Sequence, residues 1–261
     1  MVRWVVQQVS TAWRRACLPC LPLLLMSIAC AAAPMAPYRI VAGELPPFST
    51  QNGANGPGAL VEITQELARR LGSPPPVEIY PWQRALMMAR NLHRVAIVPL
   101  TRTPEREPQY RWLAHLYAQR FVFVARHGTV NVNDLDELRK RRIAVLRGSP
   151  HLALLMAEKF SHVIECASAS ECTRMIMTGV ADASYGSEAV RRSSATLGGS
   201  KEADFDYSAP YRSGEIWLAG SLDFTDAEVA RWRAAMAAMH ADGSAARILR
   251  KYGLDPELDK H

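Results

Sequence analysis

Two spacings of apolar residues alternate along most of the chain. Tyr38-Arg39-Ile40-Val41-Ala42, Val77-Glu78-Ile79-Tyr80 and Val95 to Leu100 are short runs that read as strands. Leu60, Ile63, Thr64, Leu67, Ala68 and Leu71 instead recur every three or four residues, so they share one helix face, and Gly72 stops that helix. Trp82, Ala85, Leu86 and Ala89 mark a second helix over Trp82 to Asn91. The order is βαβαβ, which predicts a parallel sheet covered by helices.

A second series follows. Phe121 to Val124 reads as a strand, Asn133 or Asp134 can cap the helix LDELRKRR, and Ile143 to Leu146 is another strand. Ser149 suits the N-cap, and Pro150 the first position, of the helix HLALLMAEKF. His162 to Cys166, Glu171 to Thr178 and Ala181 to Tyr185 then give strand, helix and strand, and helices over Asp226 to Ala241 and Ala245 to Tyr252 close the chain. Two α/β units in tandem predict an α/β fold of two lobes with a ligand cleft between them.

The first 33 residues change the picture of the rest. Arg3, Arg14 and Arg15 precede the apolar run CLPCLPLLLMSIACAAA, a layout of basic segment, apolar segment and small residues that reads as a secretory signal peptide cleaved near Ala29 to Ala33. Pro19 and Pro22 interrupt the run, and it is shorter than a spanning helix requires. Ser27-Ile28-Ala29-Cys30 loosely resembles a lipobox, so lipid attachment at Cys30 is a variant of the same reading. The protein is therefore expected in the periplasm.

With 261 residues, 49% apolar and 21% charged, the chain can bury a substantial core. Its net charge of +6 falls to +3 without residues 1–31, which hold three arginines and no acid. The remaining basic residues are dispersed among acids, which speaks against nucleic acid as a partner. No Cys or His pair beyond the leader has metal-ligand spacing, so neither metal nor cofactor is expected. In an oxidising compartment Cys166 and Cys172 either form a disulfide or remain two buried thiols; the spacing does not decide between them.

Candidate chemistry gathers at the end of the third strand, where LTRTPEREPQYRW places three arginines, two threonines and two glutamates after an apolar run. Such a turn is a binding edge or an ordinary solvated loop. Four stretches bear on the choice: ELPPFS (Glu44 to Ser49), GALVEITQELARRLG (Gly58 to Gly72), LTRTPER (Leu100 to Arg106) and VLRGSP (Val145 to Pro150). In this order, over residues 37 to 253, the chain resembles the periplasmic solute-binding proteins of the polar amino acid type that serve ABC importers.

The resemblance implies a first lobe of residues 37–118 plus 215–261 and a second of 119–214. It implies a hinge closing on a carboxylate-bearing ligand, a permease in the inner membrane as partner, and a monomer. It makes Arg106 of Thr103-Pro104-Glu105-Arg106 the ligand's carboxylate anchor, since a guanidinium matches a carboxylate bidentately. The alternative for Arg106 is a surface pair with Glu105 or Glu107. Thr101 falls where the family uses a small hydroxyl residue, and Arg102 is an additional cation. Ser149 matches the second-lobe contact or is simply a helix cap. Phe48 and Trp82 resemble aromatic residues that pack on the ligand, or belong to the core.

Departures from the pattern matter as much. Where amino acid binders place an aspartate for the ligand's ammonium group, ADASYGSEA puts Ser187, with Glu188 one step later. On the ungapped register the ammonium anchor is missing and the ligand is a carboxylate or other anion; on a register slipped by one, Glu188 takes that role. NLHRVAIV also departs, since the family has a glycine and then an acid before the third strand. Rival readings on the same scaffold are a dehydratase, with Glu188, Glu44 or His151 as acid or base, and a ligand-sensing accessory protein. Ser149-Pro150-His151 is adjacency along the chain and not a triad, so a non-enzymatic binder is the expectation.

Overall fold

The computed structural model describes residues 1, 36–72 and 74–258; the signal peptide expected over residues 1–33 and the lipid attachment considered at Cys30 fall on residues outside these, Met1 apart. In chain order the elements are β1 (Arg39–Gly43), α1 (Ala59–Arg70), β2 (Val77–Tyr80), α2 (Trp82–Asn91), β3 (Val95–Thr101), β4 (Arg111–Arg126), α3 (Leu135–Leu138), β5 (Arg142–Leu146), α4 (His151–Ala157) and β6 (His162–Cys166). There follow α5 (Ala169–Met177), β7 (Ala183–Ser187), α6 (Glu188–Leu197), β8 (Phe205–Tyr207), β9 (Arg212–Gly220), α7 (Asp226–Ala241) and α8 (Ser244–Lys251).

The strands lie in the order β2-β1-β3-β9-β4-β7-β5-β6, with β8 on β4. β1 pairs in parallel with β2 and β3, and β5 in parallel with β6 and β7. These are the two α/β units expected from the spacing. Between them, β4 and β9 form a long antiparallel ribbon from Arg111 opposite Gly220 to Phe121 opposite Arg212. β3 joins one end of that ribbon and β7 the other, so the chain passes between the lobes inside paired strands.

β3 is almost wholly buried from Val95 to Leu100 because helices cover both faces of a central strand, which is why it reads as a continuous apolar run. α1 lays Leu60, Ile63 and Leu67 on the sheet, and α7 adds Trp232 and Met239. Each such side chain contributes about 1.5–3 kcal/mol by leaving water. Thr225 and Glu228 close the N-terminus of α7 with a reciprocal capping box. The same Glu228 holds Arg94 at 2.6 Å, and the Arg94 amide donates to Asp223. Arg94 takes a left-handed φ of 56°, so the departure NLHRVAIV is a tether between the start of β3 and α7.

Several expectations need correction. β4 extends ten residues upstream of Phe121, and α6, β8 and β9 were not foreseen. α4 is seven residues long and has Pro150 at its cap position, so Ser149 is not the N-cap; its hydroxyl accepts only a long 3.4 Å bond from the His151 amide. A proline at the cap position has no hydroxyl to offer, and α4 begins without a side-chain cap. Cys166 and Cys172 are joined by a disulfide, with Cα atoms 5.4 Å apart, tying the end of β6 to α5. Among the described residues no helix is long and apolar enough to cross a membrane.

Candidate functional site

A cavity of about 70 Å³ lies between the lobes, at the C-terminal ends of β3 and β5 and the junction of β7 with α6. Phe48, Trp82, Thr101 and Arg106 line it from one side; Leu146, Ser149, His151, Ser187 and Arg191 line it from the other. It shares Thr101, Arg106, Ser149 and His151 with an open groove of about 820 Å³ that carries Arg90 and Arg212. The structure thus brings together every expected site residue except Glu188.

Arg106 is positioned by the turn after β3, whose Arg106 amide donates to the Thr103 carbonyl at 3.0 Å. Its guanidinium donates from Nη1 to the Thr101 carbonyl and from Nη2 to the Gly148 carbonyl, each at 2.9 Å. No carboxylate pairs with it among the described residues. Glu107 is instead paired with Arg102 at 2.6 Å, and Arg102 lies over the Trp217 ring at 4.7 Å. Burial pushes the Arg106 pKa down, and the fields of Tyr110 and Glu105 offset this only in part. The alternative of a surface arginine paired to Glu105 or Glu107 does not describe this side chain.

Around Arg106 the polar groups are few. The Thr101 hydroxyl accepts from Gln119 Nε2 at 3.0 Å, so the β4 ribbon sets its orientation. Trp82 opens α2 and fits against two glycines. A Cβ on Gly43 would meet Trp82 Cε3 at 2.6 Å, and one on Gly148 would meet Trp82 Cδ1 at 3.7 Å. Both glycines keep the indole at the seam of the lobes. Phe48 is 1% exposed, with its ring 5.8 Å from that of Tyr117, so it both packs in the core and closes one end of the cavity.

Across the cleft, the Ser187 hydroxyl is buried and has no hydrogen-bond partner among the described residues. Glu188, one residue on, is turned away. Its carboxylate pairs with Arg120 at 3.1 Å and Arg192 at 3.0 Å, and it lines a different hollow. The strand-to-helix junction explains this: β7 directs Ser187 inward, and the first turn of α6 carries Glu188 outward. Glu44 also stands apart, accepting from the Gln51 amide at 3.0 Å. The acid and base suggested for a dehydratase therefore do not converge. His151 does face the cavity, between the rings of Phe121 at 4.8 Å and Tyr185 at 4.9 Å. Burial first, then the charges of Arg191 and Arg106, push its pKa down to about 3, so it is neutral.

Arg191 was missed in the sequence. It is 4% exposed and lines the cavity from α6, four residues after Ser187. The helix itself went unread because EAVRRSSATL mixes serines and arginines with few apolar residues. The available signal was the i, i+4 spacing of Ser187 and Arg191 beside the buried Val190 and Ser194. Among the described residues the cavity lining contains no aspartate or glutamate, and no group of three or more His, Cys, Asp or Glu side chains is placed to hold a metal ion. The buried Arg191 and the half-buried Arg106 thus give the cavity lining positive charge without an acid.

Solved structures with this architecture are distant in sequence. An ancestral arginine-binding protein bound to arginine superimposes with a TM-score of 0.72 at 19% identity, covering 82% of this chain and 97% of that one. A histidine kinase sensor domain with similarity to periplasmic binding proteins gives 0.75 at 18% identity, covering 84% and 98%. An arginine third transport system periplasmic binding protein from Legionella pneumophila gives 0.69 at 17% identity, covering 83% and 100%. At such identities the likeness shows the fold. Among curated proteins no sequence matches. The model of the bacterial extracellular solute-binding proteins, family 3, however, matches residues 39–255, and with the two-lobed sheet built around one cleft it makes the chain a member of that family.

Proposed function

We propose that this protein captures a small carboxylate-bearing solute between its lobes and passes it, as a periplasmic monomer, to the permease of an ABC importer. The observation that carries the reading is the half-buried Arg106 guanidinium, which lines the interlobe cavity without a hydrogen-bonded carboxylate partner among the described residues. A ligand carboxylate supplies the missing negative charge, and Thr101, Ser149, Ser187 and the Trp82 and Phe48 rings shape its surroundings. The lobes divide as 37–118 plus 215–261 and 119–214, with both crossings inside the β4 and β9 ribbon, so closure bends paired strands about the cleft. A cleaved signal peptide over residues 1–33 delivers the chain, with lipid attachment at Cys30 as the variant route. The role is non-enzymatic, since the carboxylates at hand, Glu44 and Glu188, are engaged away from the cavity.

Thermal unfolding against a panel pairing each amino acid with its deaminated carboxylate tests the reading. A ligand at a hundred times its dissociation constant adds about 2.7 kcal/mol to folding stability. A raised midpoint with any carboxylate supports capture, and a flat response across the panel removes it. A sensing role is the second reading, supported by the occurrence of this fold in a histidine kinase sensor domain. Ligand-stimulated ATP hydrolysis by the reconstituted importer favours transport, whereas binding without such stimulation favours sensing.

A further inference from the structure

Arg191 is the least explained charge in the molecule. Nη2 of its guanidinium donates to the Tyr185 carbonyl at 3.1 Å, while Nε and Nη1 have no partner among the described residues. A Cβ on Gly186 would lie 2.9 Å from Nε and 2.7 Å from Nη2, so the glycine is what lets the side chain lie against β7 on its way to the cavity. The neighbouring Ser187 hydroxyl is likewise buried and unpartnered among the described residues, and both residues line the same cavity. A buried guanidinium with two idle donors is costly unless something negative meets it.

We propose that the cleft is built for a small organic dianion, a short dicarboxylate, held at one end by Arg106 and at the other by Arg191 with the Ser187 hydroxyl. This rests on the reading of the cleft as a carboxylate receptor and names its ligand class. Charge balance is the first argument. The lining holds two cations and no acid, so a monoanion leaves one buried charge uncompensated and only a dianion neutralises both. An ammonium group would add a third positive charge to a cavity whose lining holds no acid, with Glu188 turned away onto Arg120 and Arg192 and Glu44 held by the Gln51 amide. The departure at Ser187 and the arginine four residues later are thus one change: the second lobe's pole of recognition is positive.

The walls argue for carbon between the two charges. Leu45, Phe48, Trp82, Phe121, Leu146 and Val190 surround the cavity, and apolar surface of this kind rewards methylene groups and offers nothing to the remaining oxygens of a phosphate or sulfate ion. The cavity of about 70 Å³ has room for only a handful of waters, so the chain linking the carboxylates is short.

Isothermal titration calorimetry on the purified protein with succinate, glutarate, butyrate, glutamate, phosphate and sulfate decides the matter. Succinate or glutarate is expected to bind at least about 100-fold tighter than butyrate or glutamate, the size of one buried charge pair. R191M should remove about 100-fold of the dicarboxylates' advantage over butyrate, and R191K should recover part of the loss. Should R191M fail to fold, the wild-type ranking and R191K carry the test. Glutamate or butyrate binding as tightly as the dicarboxylates overturns the dianion proposal and leaves carboxylate capture standing. Phosphate or sulfate binding in their place also overturns it, and no binding by any carboxylate removes both.

Discussion

The Arg106 guanidinium donates to the Gly148 carbonyl at 2.9 Å, joining the turn after β3 to the turn after β5 across the cleft. Under the proposed function, the residue that meets the ligand's carboxylate is also a strut between these two turns. On that reading binding and closure share an atom group and are energetically coupled.

Replacement of Arg106 by Ala should separate recognition from stability. Losing a buried charge pair with the ligand is worth about 2–5 kcal/mol, so affinity should fall at least about 30-fold. The two hydrogen bonds to backbone carbonyls contribute about 1 kcal/mol each, but removing an uncompensated buried cation offsets them. The unfolding midpoint of the free protein should move by less than about 4 °C. Retained affinity in a titration would contradict the assignment of Arg106.

Gly148 carries the strut's acceptor at a φ of +77°, and a Cβ there would sit 3.0 Å from Leu86 Cδ1 on the opposite lobe. G148A should cost about 1–2 kcal/mol in backbone strain and also wedge the cleft, increasing the radius of gyration measured by small-angle scattering with ligand present. Gly72 is the control, because its φ of +79° is similar and nothing lies within 4 Å of its Cβ position. G72A should show the strain without the change in size. Identical scattering for both variants would show that Gly148 does not govern closure.

His151 sets an acid limit on stability. Its folded pKa of about 3 lies below its ordinary value near 6.5, so the unfolded chain binds the proton that the folded one refuses. The stabilisation is present above pH 6.5 and is lost as pH falls from there towards 3. The loss is about 1.4 kcal/mol per pH unit, or about 2 kcal/mol between pH 6.5 and 5. Glu66, Glu78 and Glu228 have pKa values lowered to about 2 by their arginine partners, and their contributions fail only below about pH 4.5. The midpoint should therefore drop about 4–8 °C from pH 6.5 to 5, and H151F should flatten the slope; an equal slope in the variant would exclude His151 as its source.

Reduction of the Cys166–Cys172 disulfide should destabilise the second lobe without emptying the site. The bridge closes a short loop between β6 and α5 and is worth about 2–3 kcal/mol in a chain-entropy account. A C166S/C172S double variant should lose about 4–10 °C in Tm and keep its ligand affinity within a few-fold, because the cavity meets α5 only at Ala169. A large loss of affinity with unchanged Tm would reverse that assignment.

The strands and helices with one dominant spacing were legible. β1, β2, β3 and α2 fall within a residue of their apolar runs, and α7 spans Asp226–Ala241 as expected. β4 was legible only from Phe121, because RWLAHLYAQR alternates imperfectly around two irregularities in its pairing with β9. α6 was illegible for lack of an apolar stripe, and its loss concealed Arg191. Ser149 was placed at the cleft although its expected role as cap belongs to no side chain in the structure.

The sequence by itself determined the two α/β units and the arginine turn at the end of β3, since apolar period and turn chemistry are local properties. Tertiary structure decided which charges are alone. Arg102 and Arg106 stand four residues apart, yet one meets Glu107 and the other faces the cavity; Ser187 and Glu188 are neighbours that point to opposite sides of a strand-to-helix junction. Pairing and burial depend on what the fold brings from the far side of a cleft, and that information lies in no single stretch of chain.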